Sequence, residues 1–244
     1  MPAETPQLLL LSNSRAADGT YLKWAADEIK AFLGKPGSSV LFIPYAAVPG
    51  TTPAYDAYAE RVRPPLAEMG YSLTSLHETA DPVQAVRAAA AIVIGGGNTF
   101  YLLARLYAAD LLEVIRARVR AGTPYIGWSA GSVVACPTIA TTNDMPIIEP
   151  PSLRALGLVQ FQINAHYTDA HPPGHQGETR AERLAEFLSL QPTVTVIGLR
   201  EEALLHVHGT EVRLWGRGAR VFRAAESPVE WTEHEGVRLH APSL

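Results

Sequence analysis

Apolar positions along this chain fall into two alternating patterns. Short, nearly unbroken apolar runs predict strands at 7–12 (QLLLLS), 38–46 (SSVLFIPYA), 71–78 (YSLTSLHE), 90–98 (AAIVIGGGN) and 123–129 (TPYIGWS). Between them, longer amphipathic stretches predict helices at 20–34, closed by Gly34, at 54–70, interrupted near Pro64 and Pro65, at 81–89 and at 99–122. Strands that are apolar on both faces and separated by helices predict a mostly parallel sheet sandwiched by helices.

After Pro150 the texture changes. A strand is predicted at 159–169 and a helix at 177–190, followed by close-spaced strands at 193–199, 203–209, 211–216 and 219–224. These last read as an antiparallel C-terminal extension of the α/β sandwich. No repeat, low-complexity tract or convincing linker divides the chain, so residues 1–244 are expected to form a single domain. At this length a core can be buried without a disulfide or metal staple.

Composition narrows the function classes. With 47% hydrophobic and 18% charged residues the chain is globular rather than disordered. A formal net charge of -4 offers no attraction to nucleic acid or to an anionic membrane. The one cysteine, Cys136, excludes an intrachain disulfide and suits a reducing compartment. The N-terminus has no basic start before its apolar run, and no apolar run approaches the length of a membrane span. A cytoplasmic protein is expected, with no cofactor and with its oligomeric state left open, a homodimer included.

The candidate chemistry centres on Gly127-Trp128-Ser129-Ala130-Gly131, a G-x-S-x-G between a predicted strand and a predicted helix start. That context makes Ser129 a candidate nucleophile on a tight turn, against the plainer reading of a small residue where a strand gives way to a helix. A serine nucleophile needs a base and a group that orients the base. Of eight histidines, His166 ends the apolar run FQINAHY and could reach Ser129 from a strand C-terminus; it could equally only cap that strand. His171 and His175 follow in a Pro/Gly-rich loop and read as solvated. A metal site on these three is disfavoured, because Pro172 and Pro173 preclude a helix that would present them together. His206 and His208 read as a solvated strand face. Two carboxylates compete for the orienting role: Asp144 in TTNDMP and Glu201 just past TVTVIGL. The Gly95–Asn98 run GGGN lacks the G-K-[ST] of a phosphate loop. It suits an oxyanion hole built from the N–H groups of Gly97 and Ala130, with Asn98 beside the substrate.

Taken together, GGGNTFYLL, GWSAG, ACPTI followed by TTNDMPI, QINAHYT and GHQGETRAERL resemble the S51 serine peptidases, the peptidase E family of aspartyl dipeptidases. The resemblance runs from about Leu8 to about Arg223. It implies a fold akin to class I glutamine amidotransferase domains (flavodoxin-like) and hydrolysis of Asp-X dipeptides through an acyl-enzyme. Ser129 matches the family nucleophile and His166 its base. Asp144 and Glu201 both match acid positions, although LREE at 199–202 departs from the family's LPEG. Arg180 in GETR matches a position implicated in holding the substrate aspartate; arginine binds a planar carboxylate bidentately. Glu178 is the candidate for the substrate amino group. The alternatives are a cyanophycinase-like peptidase, a glutamine amidotransferase-like protein, whose elbow residue is a cysteine, and a non-enzymatic binding module.

Overall fold

The computed structural model describes residues 5–50, 54–171, 174, 176–232 and 237–238. His175, Pro172 and Pro173 lie outside the described residues. Five parallel strands form the centre of the larger sheet, in the order β1 (Gln7–Leu11), β5 (Tyr125–Trp128), β4 (Ile92–Ile94), β2 (Ser39–Ile43) and β3 (Ser72–Ser75). Ile92, Val93 and Ile94 are all buried, which is why this stretch carries no polar alternation. On the other edge of β1, three strands add antiparallel: β8 (Ala203–His208), β9 (Glu211–Gly216) and β12 (Val237–Arg238).

The remaining strands make a second sheet rather than widening the first. It runs β11 (Val229–Trp231), β10 (Ala219–Phe222), β7 (Val196–Arg200) and β6 (Gln162–Tyr167). Only β6 and β7 are parallel there. The antiparallel extension expected from the sequence is therefore shared between two sheets.

The helices follow their apolar faces. α1 (Ala26–Leu33) buries Ile29 and stops at Gly34, whose φ of 71° suits a residue without Cβ. α5 (Leu111–Arg120) buries Leu111, Leu112, Ile115 and Val119, one stripe at helical spacing. α7 (Arg180–Leu190) starts from a capping box in which Thr179 and Glu182 satisfy each other's backbone N–H groups. α3 spans Pro82–Ala88.

Two expectations are corrected. α2 (Tyr55–Glu68) runs unbroken through Pro64 and Pro65. The fixed φ of proline is helical, and buried Val62 and Leu66 on either side pin the helix to the core. The predicted helix at 99–122 is two, α4 (Thr99–Ala108) and α5, parted at Asp110, whose φ of 53° is left-handed. Between the two sheets lies one apolar cluster that takes Leu8 and Leu10 from β1, Ile163 from β6, Ile197 from β7 and Ala219 from β10. A second cluster, with Leu9, Phe42, Ile126 and Trp128, packs against α1 and α2.

Candidate active site

β5 delivers Ser129 to the end of the central sheet, and α6 (Ala130–Val133) leaves at once. Ser129 itself sits at φ 53°, ψ -116°, a conformation an L-residue rarely adopts. The turn is tight enough that a Cβ on Gly131 would lie 2.1 Å from the Ile94 carbonyl oxygen, so only glycine fits. Ser129 N–H donates to Leu11 O at 3.1 Å, tying the turn to β1.

The candidate base comes from the other sheet. His166 lies where the β6–β7 register shifts between Ala165 and Tyr167, and it is left-handed, with φ 55°. This bulge turns the imidazole toward the elbow. Nε2 stands 2.9 Å from Ser129 Oγ, and Nδ1 stands 2.9 Å from Glu201 Oε1. With Nδ1–H donating to Glu201 Oε1, Nε2 is left to accept from the serine hydroxyl. Glu201 is held just beyond the end of β7, in the turn to β8.

Asp144 is engaged elsewhere. Its Oδ2 accepts from Thr99 N–H at 2.7 Å, Thr99 Oγ1 at 2.5 Å and Thr142 Oγ1 at 3.2 Å. It anchors its own loop to the first turn of α4, and the orienting position on His166 is occupied by Glu201. Asn98 is likewise spent on structure. Its Oδ1 caps α4 by accepting from Tyr101 N–H, and its Nδ2 donates to Met145 O.

Gly97, with φ 140°, lies against Ala46, whose carbonyl oxygen would be 2.2 Å from an added Cβ. Neither Gly97 N–H nor Ala130 N–H donates to a backbone carbonyl outside the helices and strands of the described residues. The loop is braced from below by residues that sequence patterns do not flag. Tyr58 OH donates to Gly96 O at 3.0 Å and accepts from Trp128 Nε1 at 3.0 Å. Burial pushes the Tyr58 phenol well above its ordinary pKa, so it stays a neutral donor.

These groups open on a cleft of about 440 Å³ lined by Ser129, His166, Glu201, Gly96 and Gly97, with Tyr21 and Tyr58 on its apolar wall. That volume lies within the range of small-molecule sites, roughly 300–1,000 Å³. Its cations are Arg15, Arg61 and Arg217. Arg217 is paired with Glu202 at 2.7 Å. Arg180, expected in the pocket, does not line it. It is the first residue of α7, where burial and the neighbouring charge of Arg183 lower its pKa. Glu178 is also outside the cleft, with Arg183 3.7 Å away and both side chains exposed. No sequence signal could have selected Arg15 or Arg61, since each is one of many surface arginines until the fold turns it to the cleft.

His171 is exposed, with Nε2 3.0 Å from Gly177 O. His206 is half-buried between Phe32 and Trp215 rather than solvated, and burial lowers its pKa; His208 is exposed. Among the described residues, a cluster of metal-ligand type occurs at Asp56, His77 and Glu78. His77 already meets Asp56, and Glu78 meets Arg63, and none of the three lines the cleft.

A serine, imidazole and carboxylate in series at a strand–turn–helix elbow define the class: a serine hydrolase on an open α/β sheet. The model of peptidase family S51 matches residues 8–215. A peptidase E of Nostoc sp. is 47% identical over 232 residues, covering 95% of each chain. A peptidase E of Shewanella amazonensis is 51% identical over 224 residues, 91% of this chain and 94% of its own. The fold is also that of a crystal structure of a peptidase from an acI-B1 Actinobacterium, with a TM-score of 0.74 at 19% identity over 97% of this chain and 98% of that one. The chain belongs to peptidase family S51. It is a hydrolase, a serine-type dipeptidase.

Proposed function

We propose that this dipeptidase removes N-terminal aspartate from Asp-X through an acyl-enzyme on Ser129. The observation that carries the reading is the unbroken series Ser129 Oγ, His166 and Glu201, with 2.9 Å at each link. His166 takes the serine proton as Oγ attacks the peptide carbonyl, then gives it to the leaving amine. Glu201 holds the tautomer and balances the imidazolium. The N–H groups of Gly97 and Ala130 receive the developing oxyanion. A water then repeats the sequence and frees aspartate.

Specificity for aspartate follows from charge, because Asp and Asn are nearly isosteric. The cleft offers Arg15 and Arg61, neither of which is within ion-pair distance of a carboxylate among the described residues, and we assign the side-chain carboxylate of the substrate to one of them in preference to Arg180. The test is a panel of Asp-Leu, Asn-Leu, Glu-Leu, isoAsp-Leu and Leu-Leu, run on the wild type and on Arg15→Met, Arg61→Met and Arg180→Met. Asn-Leu is expected to be cleaved about 10- to 100-fold less efficiently than Asp-Leu, because both arginines are exposed and the lost pair costs less than the roughly 3–5 kcal/mol of a fully buried one. A wild type that treats Asp-Leu and Asn-Leu alike sinks the specificity. Collapse of the ratio in Arg180→Met alone moves the aspartate pocket back to α7.

The amidotransferase alternative is disfavoured by Cys136. Its thiol is fully buried and burial pushes its pKa up to about 12, so it supplies no thiolate nucleophile. We read the chain as one unit, on the strength of the apolar cluster that joins both sheets. No helix of the described residues is long and apolar enough to cross a membrane. We assign the cytoplasm on the ground of a single, unpaired thiol.

A further inference from the structure

The nucleophile and the base stand on different sheets, so something must fix one sheet relative to the other to within tenths of an ångström. Three consecutive residues at the end of β1 make that connection. Leu11 O accepts from Ser129 N–H at 3.1 Å and from Ser132 Oγ at 2.7 Å. Ser12 Oγ accepts from His166 N–H at 2.8 Å and donates to Leu199 O at 2.8 Å. Asn13 Oδ1 accepts from Glu202 N–H at 2.7 Å, one residue beyond the carboxylate that orients the imidazole.

Ser12 is the member whose side chain the argument needs. It is fully buried, and its own N–H is fixed to Ala203 O at 3.0 Å. The bulge at His166 takes that residue's N–H out of the regular β6–β7 ladder. The Ser12 hydroxyl is inserted between this N–H and the Leu199 carbonyl, accepting from one and donating to the other. A hydroxyl is the small side-chain group that can do both. Without it, the N–H and the carbonyl are left facing each other across an empty site, and the bulge is free to close by pairing them directly. Closing it moves the His166 backbone and swings the imidazole off the line between Ser129 and Glu201.

We propose that Ser12 is a positioning residue of the hydrolytic site: its hydroxyl holds open the bulge that aims His166 at Ser129. The inference rests on the Ser129–His166–Glu201 reading above. Misplacement of a catalytic group by about 1 Å costs on the order of a hundredfold in rate. Binding of the dipeptide in the cleft does not involve Ser12, so the loss falls on turnover.

The test is Ser12→Ala in the full chain, against wild type and Ser12→Thr, which keeps the hydroxyl. For Ser12→Ala, kcat on Asp-Leu is expected to fall about 10- to 100-fold with KM within about twofold. Labelling of Ser129 by a fluorophosphonate slows by a similar factor, and the low-field proton resonance of the His166–Glu201 hydrogen bond is shifted or lost. Ser12→Thr recovers kcat to within about threefold of wild type. Unchanged kcat and labelling in Ser12→Ala overturn the inference, and so does an equal loss in Ser12→Thr. If Ser12→Ala does not fold, Ser12→Cys, nearly isosteric and a far weaker hydrogen-bond partner, takes its place with the same two outcomes. A wild type that neither cleaves Asp-Leu nor labels at Ser129 sinks the triad reading itself. A wild type that does both, beside an unaffected Ser12→Ala, sinks only the role of Ser12.

Discussion

Replacing Glu201 with glutamine isolates the charge proposed to orient His166. The side chains are 62% exposed for Glu201 and 41% exposed for His166, although Nδ1 and Oε1 are 2.9 Å apart. Two unit charges about 4 Å apart interact by about 1 kcal/mol in bulk water and by about 4 kcal/mol at the effective dielectric near a protein surface. Exposure of both partners places this pair between those limits, at about 1.5–3 kcal/mol. Each 1.4 kcal/mol is a factor of ten, so kcat for Asp-Leu in Glu201→Gln is expected to fall about 10- to 150-fold. KM is expected to stay within about threefold, because the imidazolium exists only past the ground state. A buried triad carboxylate is worth far more, on the order of 10⁴. Solvent reaching Glu201 is the reason for the smaller figure. The comparison variant is Asp144→Asn, whose carboxylate is spent on Thr99 and Thr142. It is expected to keep kcat within about tenfold and to lose about 1 kcal/mol of stability with its place at the start of α4. Steady-state kinetics on both variants decides the matter. A mild Glu201→Gln beside a severe, kcat-limited Asp144→Asn would falsify the assignment.

Two further outcomes follow from local geometry. Gly97→Ala puts a Cβ 2.2 Å from Ala46 O at a φ of 140°, so the loop must shift. A loss of about 10²-fold or more in kcat is expected if Gly97 N–H serves the oxyanion, and near-normal turnover removes it from that role. Burial pushes the Asp169 carboxyl up, but hydrogen bonds from Arg200, Tyr167 and Arg220 outweigh it and hold the pKa below the ordinary aspartate range. Its contribution to stability is therefore present at neutral pH and lost as the pH falls below about 4. In urea titrations Asp169→Asn should be less stable than wild type at pH 7 and should converge with it in acid; a gap that does not narrow contradicts the linkage.

What the sequence makes legible is what lies close along the chain. The central strands show because their residues are buried on both faces, as at Ile92, Val93 and Ile94. The elbow shows because Gly127, Ser129 and Gly131 sit within five positions of one another. His166 and Glu201 could be proposed as ends of apolar runs, but the choice between Glu201 and Asp144 depends on which sheet each strand joins. A one-sheet reading leaves both in range. Ser12 is a small polar residue ending an apolar strand, and nothing in its neighbourhood points to a partner 154 positions away. Arg180 shows the converse. Its motif is local and recognisable, but the helix it opens does not line the cleft, and the substrate panel on Arg180→Met decides its role.

The conformation of Ser129 allows the elbow to be tested apart from its chemistry. At φ 53°, ψ -116° the residue is outside the helical, extended and left-handed wells open to side chains with a Cβ. Holding such a residue there costs about 1–3 kcal/mol. Ser129→Ala removes the hydroxyl and keeps the Cβ, so the strain stays. Ser129→Gly removes both. Glycine also gains freedom in the unfolded chain, which works against it by about 0.4–1 kcal/mol. The balance leaves the glycine variant about 0–2.6 kcal/mol more stable than the alanine one. In ordinary helix or strand interiors the sign is reversed, with glycine worse by about 0.5–1 kcal/mol. Both variants lack the hydroxyl proposed as nucleophile and both should be inactive, so their difference reports the backbone alone. Urea unfolding at equal m-values measures it. If the alanine variant proves the more stable by about 0.5 kcal/mol or more, the turn is not strained. The serine would then owe its exposure to the neighbouring glycines and not to a backbone held out of its preferred wells.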